Sequence, residues 1–172
     1  MNTNDFDWNM VSALGGCASA LATIIAVIFA KKALSTWVEQ EKIKVKMEFK
    51  RSLLNLKTLL VLMPDNLDVK EITEQKEALS ARWLFEDVPF IKQDIEDGQS
   101  NVMQFEKFIL AVENCNACWV ATEHLFDGSV ISDKWSGVWN AYCDYLGGRV
   151  NKHHLFIALN DLYSIRFVFE YK

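Results

Sequence analysis

Residues 10–30, "MVSALGGCASALATIIAVIFA", run for 21 positions without one charged side chain. As an α-helix such a run is about 32 Å long, close to the hydrocarbon thickness of a bilayer. Trp8 precedes it and Trp37 follows it, where interfacial aromatic residues sit at the edges of a membrane. A cleaved signal peptide needs a positively charged leader, and the leader here, "MNTNDFD", is acidic. A buried core helix is the other reading of an apolar run, but core runs are typically about 10–14 residues. The length and the missing charge predict a transmembrane helix over 10–30.

Charge is distributed unevenly around this run. Residues 1–30 carry −2, residues 31–63 set eight basic side chains against three acidic ones, and the rest of the chain carries −8, for an overall −5. A basic segment beside an apolar one, followed by an acidic body, is a membrane-proximal pattern. The acidic body repels phosphate backbones, so nucleic acid is excluded as a partner and the lipid bilayer is expected instead. Lys31, Lys32, Lys42, Lys44, Lys46, Lys50 and Arg51 all follow the span, and no Lys or Arg precedes it. The positive-inside rule places residues 1–9 outside and the C-terminal part in the cytoplasm, with those seven cations at the membrane surface. Later apolar stretches are short or, like "HHLFIALNDLYSIRFVF", broken by charge, so a single pass is expected.

Within the span, Gly15, Ser19, Ala22, Ala26 and Ala30 recur at steps of four, three, four and four, forming a ridge of small residues. Small residues let helix backbones approach closely, which is how helices associate in lipid. This ridge is the expected helix-association face, for a homo-oligomer or for another membrane protein. The plainer alternative is that Gly and Ala are simply common in membrane helices.

From Lys31 to Met63 there is no Gly or Pro, and Pro64-Asp65-Asn66 ends the helical pattern. Val38, Lys42, Val45, Phe49, Ser52, Leu56, Leu59 and Met63 follow a four–three spacing. That spacing fits a coiled-coil seam, or an amphipathic helix packing into its own domain. The expected organisation is therefore a short external N-terminus (1–9), a span (10–30), a basic juxtamembrane helix (31–63) and a cytoplasmic helical bundle (64–172). Asp68 with Glu71 three residues on reads as a helix N-cap. "KQDIEDGQSN" reads as a polar loop, without the register of a calcium loop. "NVMQFEKFILAVENCNACWVATEHLF", "SDKWSGVWNAYCDYLGG" and residues 151–169 read as further helices. In the second of these Trp135, Trp139, Tyr142 and Leu146 share one face, and Gly147-Gly148 marks the end. No alternating β-branched run or hairpin dipeptide occurs. The fold class is all-α: one N-terminal transmembrane helix continuing into a cytoplasmic bundle of about four or five helices.

One group of chemistry-bearing residues is a candidate metal or thiol site: Cys115 and Cys118 in "CNAC", with Cys143 and His124, His153 and His154 elsewhere. A C-x-x-C pair supplies two zinc ligands when it sits on a tight turn. Here it falls mid-helix, where cysteines more often serve as small core residues. His153 and His154 are neighbours, so on a helix they point about 100° apart and do not chelate unaided. Trp119, Trp135, Trp139 and Tyr142 read as core, or as an aromatic groove for a partner peptide. There is no Gly-rich phosphate loop, nucleophile elbow or HExxH motif. No catalytic residue and no cofactor is expected, and the chain reads as non-enzymatic.

The span together with "FAKKALSTWVEQEKIKVKMEFKRSLL", which carries the W-x-x-Q element Trp37-Val38-Glu39-Gln40, resembles the small single-pass inner-membrane proteins of bacteria and prophages. Those proteins join one N-terminal span to a basic helix and a helical cytoplasmic domain. The resemblance covers about the first 55 residues and implies a Gram-negative inner-membrane location. It carries over no catalytic residues. Proteins of this build also occur on mobile elements and beside phage-defence genes, so a membrane-acting defence effector is one form of the self-associating or partner-binding protein that the small-residue ridge suggests. A passive scaffold recruiting a cytoplasmic enzyme is the alternative, and a thiol- or metal-dependent domain using Cys115, Cys118 and Cys143 is another.

Overall fold

The computed structural model describes residues 8–80 and 89–168, with side chains over 10–80 and 98–168. Five α-helices make up this part: α1 (Trp8–Leu62), α2 (Val69–Ser80), α3 (Pro89–Thr122), α4 (Val130–Leu146) and α5 (Lys152–Ser164). A 3-10 turn, Glu123–Leu125, follows α3, and no strand occurs among the described residues. The chain divides into two compact units, Met1–Lys42 and Ile43–Lys172.

In the first unit α1 stands alone: every side chain from position 10 to 41 is exposed. Its hydroxyl groups are satisfied locally, with Thr23 Oγ1 donating to Ser19 O at 2.9 Å and Thr36 Oγ1 to Lys32 O at 3.0 Å. Back-bonding of this kind removes polar atoms from the helix surface, which suits an apolar surrounding.

The second unit has one continuous apolar core. The last part of α1 contributes Phe49, Leu53, Leu56 and Leu60, and Met63 follows directly after it. Their steps of four, three, four and three place them on one helix face. Facing them are Phe108, Ala111, Val112, Cys115 and Trp119 of α3, Trp135, Val138 and Tyr145 of α4, and Leu155, Leu159 and Leu162 of α5. Phe49 sits at the hub, fully buried, with its ring 5.5 Å from Trp119, 5.6 Å from Trp135, 5.8 Å from Phe167 and 6.3 Å from Phe126. The seam residues Phe49, Ser52, Leu56 and Met63 are thus buried against this chain's own helices, while Val38 is exposed. The compact unit begins at Ile43 rather than after Pro64, because the apolar face of α1 is needed to complete the core.

Local signals act where the sequence places them. Asp68 Oδ1 accepts from the Lys70 and Glu71 backbone N–H groups at 2.9 and 3.3 Å, capping α2. Gly148 ends α4 with a positive φ of 65°, a conformation that glycine adopts without steric penalty. Asn151 caps α5, accepting from His154 N–H at 3.2 Å.

Two expectations are corrected. "KQDIEDGQSN" is not a loop: residues 92–101 lie within α3. Pro89 takes the first position of that helix, where its missing N–H goes unneeded, and the polar residues after it are good helix formers apart from Gly98. A helical glycine costs only about 1 kcal/mol against alanine, which the packing of a 34-residue helix absorbs. The buried face of α4 is also rotated from the expected one. It is formed by Ile131, Trp135, Val138, Ala141 and Tyr145, whereas Trp139 is 38% exposed and Tyr142 and Leu146 are half-buried. Part of the helix expected after Asp68, residues 81–88, lies outside the described residues.

Candidate functional site

Two features are chemically distinctive: the exposed apolar length of α1, and a set of lysines in the Ile43–Lys172 unit that are drawn onto helix ends and aromatic rings.

One helix among the described residues is long and apolar enough to cross a membrane. Its most apolar window has a mean hydropathy of 2.2 and none of it is buried. Large apolar side chains along it are exposed, Phe29 at 68% and Trp37 at 65%. A soluble monomer rarely leaves a contiguous apolar patch beyond a few hundred Å² uncovered. Gly15, Ser19, Ala22, Ala26 and Ala30 are all exposed on this length of α1. A Cβ added at Gly15 or Gly16 would meet nothing within 4 Å, so this chain's own fold does not require glycine at either position.

The seven cations expected at a membrane surface have different surroundings. Lys31 and Lys32 are exposed, and Lys42 pairs with Glu39 at 2.8 Å. Lys44 and Arg51 are exposed as well. Lys46 lies over the Phe126 ring, 5.4 Å from its centroid. Lys50 is turned inward: its Nζ donates to Tyr163 O and, at 2.6 Å, to Ile165 O. The same ammonium stands 4.7 Å from the Tyr163 ring centroid and 4.8 Å from that of Phe167. Burial pushes the Lys50 pKa below its ordinary value, while the carbonyls and ring faces favour the charged form.

A reciprocal contact occurs at the other end of α5. Lys152 Nζ donates to Met63 O at 2.8 Å and lies 3.1 Å from Asp65 Oδ1. Lys50 of α1 therefore covers the carbonyl end of α5, and Lys152 of α5 covers the carbonyl end of α1. The last carbonyls of a helix lack intrahelical partners and carry partial negative charge, so a cation at each end satisfies both needs. Lys57 adds to the seam, donating to Asn160 Oδ1 at 2.7 Å and lying over Phe156 at 5.0 Å. Sequence reasoning missed this arrangement because its partners lie roughly a hundred positions apart in the chain.

The cysteines are dispersed in environment. Cys115 is buried, Cys118 half-buried, and Cys143 and Cys17 exposed. Burial pushes the Cys115 thiol up to about 12, against a weaker opposing hydrogen bond from Ser52. Such a thiol is a poor nucleophile at neutral pH. Among the described residues no three His, Cys, Asp or Glu side chains come together in a group that could hold a metal ion. His124, His153 and His154 are exposed.

No protein-family model, curated protein or solved structure matches this chain.

Proposed function

We propose that the protein is a non-enzymatic, single-pass inner-membrane protein of a bacterium. Its N-terminus lies outside, residues 10–30 cross the bilayer, and its helical domain lies in the cytoplasm. The observation that supports this reading is the length of α1 whose apolar side chains are all exposed. Leaving them in water would be unfavourable by about 25 cal/mol per Å² of apolar surface. The basic residues that follow support the orientation.

The small-residue ridge of the span is the assembly surface, used for self-association or for binding another membrane protein. In its most specific form the protein is a membrane-acting effector of a phage-defence or mobile-element system. A cytoplasmic trigger changes the helical domain, the spans regroup and the membrane leaks. The test is the native mass of the full-length protein in lipid nanodiscs, beside a variant with Gly15, Ser19 and Ala22 replaced by Leu. A discrete oligomer that the triple variant loses supports assembly through the ridge. Unchanged mass and unchanged membrane toxicity would sink it. The passive-scaffold reading predicts instead that an unrelated span replaces residues 10–30 without loss of function. The thiol or metal reading gains no support from the structure: Cys115 is buried, Cys143 is exposed, and among the described residues no group of three His, Cys, Asp or Glu could hold a metal ion.

A further inference from the structure

Helix α5 stops at Ser164, and the chain continues over residues 165–168 as a strap without helix or strand. Ile165 turns it away from the helix with φ −66° and ψ 130°. Arg166 is exposed, Phe167 is 1% exposed, and Ile165 and Val168 are half-buried against the core.

Two anchors hold the strap. The Phe167 ring enters the aromatic hub, 5.2 Å from Phe126 in an edge-on pair and 5.8 Å from Phe49. Lys50 Nζ reaches it from α1, donating to Ile165 O at 2.6 Å and standing 4.8 Å from the Phe167 ring centroid. The Ile165 N–H donates to Leu162 O at 3.2 Å, and no further backbone–backbone hydrogen bond to the strap occurs among the described residues. One ring and one ammonium therefore carry most of its attachment.

The other end of α5 is fastened differently. There Lys152 N–H donates to Asp65 O at 2.7 Å, Lys152 Nζ to Met63 O at 2.8 Å, and Tyr145 Oη to Pro64 O at 2.7 Å. Those bonds join α4 and α5 to the end of α1, and none involves the strap. A segment with few backbone bonds and a single deep anchor belongs to the low-stability end of a fold, where local opening begins. Lifting the strap takes Phe167 out of the hub and leaves Leu53, Leu56, Leu60, Leu155 and Leu159 packed.

We infer that residues 165–168 form a detachable latch, locked by Lys50 and Phe167, whose release uncovers the Phe49–Phe126 face while the rest of the Ile43–Lys172 unit stays folded. Closed, the latch covers two aromatic rings and occupies Lys50. Open, it presents those rings beside the ammonium groups of Lys46, which lies over Phe126, and of Lys50, which gives up the Ile165 carbonyl. The latch lies wholly within the second unit, so it goes beyond the membrane reading and stands without it.

The experiment is tryptic digestion of the full-length protein in nanodiscs at urea concentrations below the unfolding transition. Cleavage between Arg166 and Phe167 is read by mass spectrometry, and global unfolding by tryptophan fluorescence. When reclosing outpaces cleavage, the rate of cleavage follows the population of the open form. A detachable latch predicts cleavage after Arg166 that depends on urea less steeply than global unfolding does, because less surface is exposed. Lys50→Met should speed that cleavage at least about tenfold, through loss of the charged hydrogen bond to the strap. Lys50→Arg keeps a cation there and should cleave at close to the wild-type rate. If Lys50→Met does not fold, Phe167→Leu takes its place, with the same acceleration expected. No cleavage after Arg166 below the transition would overturn the proposal, as would cleavage as urea-dependent as global unfolding, since the strap would then open only with the whole core. Equal rates in wild type and variants would overturn it too, by removing Lys50 and Phe167 as the lock.

Discussion

Phe49 is the residue on which the core of the second unit most depends, and its removal can be worked through. The side chain is fully buried and its ring touches four other aromatic rings, edge-on to Trp135 with an interplanar angle of 77°. Truncating a buried Phe to Ala costs about 3–5 kcal/mol, from lost transfer free energy and from the cavity left behind. Aromatic pairs add about 0.5–1.5 kcal/mol each beyond their buried area. The large rigid rings around the hole cannot collapse far into it, so Phe49→Ala belongs near the upper end, about 4–5 kcal/mol. Leu54→Ala on the same helix is the control: Leu54 is 47% exposed and should change stability by less than about 0.5 kcal/mol. The assay is urea unfolding of the full chain in nanodiscs, followed by tryptophan fluorescence, since Trp119 and Trp135 lie against Phe49. A Phe49→Ala midpoint shift no larger than that of Leu54→Ala, at unchanged slope, would refute the placement of α1 in the core.

Other outcomes follow from the lysine seam and the buried acids. Lys152→Met should destabilise the unit by about 1–2 kcal/mol, because the carbonyl end of α1 loses its cation; equal urea midpoints for variant and wild type would contradict that. Cys143 should react with iodoacetamide in the folded protein while Cys115 reacts only after unfolding, a ranking that peptide mass mapping reads directly. Stability should fall as pH rises through the window between about 9 and about 12. Cys115 and Tyr145 have folded-state pKa values raised to about 12, so the unfolded chain releases their protons first. A urea midpoint flat from pH 8.5 to 10.5 would argue against that burial.

Much of the fold was legible because its signals are local. The long apolar N-terminal helix declares itself by length and lack of charge, the Asp68 cap by its spacing to Glu71, and the end of α4 by Gly147-Gly148. Residues 92–101 misled for an equally local reason: a polar, Gly-containing stretch resembles a loop when its neighbours are ignored. Size and spacing read Trp139 and Tyr142 as core or as an aromatic groove. On the buried face Val138 and Ala141 sit between Trp135 and Tyr145, while Trp139 is left partly exposed and Tyr142 packs at the edge of the core against Phe108. The reach of α1 past residue 43 into the core, and the crossed lysine caps at Lys50 and Lys152, are tertiary. They depend on which helices meet, and no window of the sequence contains both partners.

The central claim is that residues 10–30 cross a bilayer, and the most direct measurement is alkaline carbonate extraction of membranes from cells expressing the full chain, beside a variant lacking residues 10–30. An integral span predicts that the full chain stays in the membrane pellet while the deletion variant is released to the supernatant. Release of the full chain by carbonate would contradict the span, and with it the proposed anchoring and assembly in the membrane.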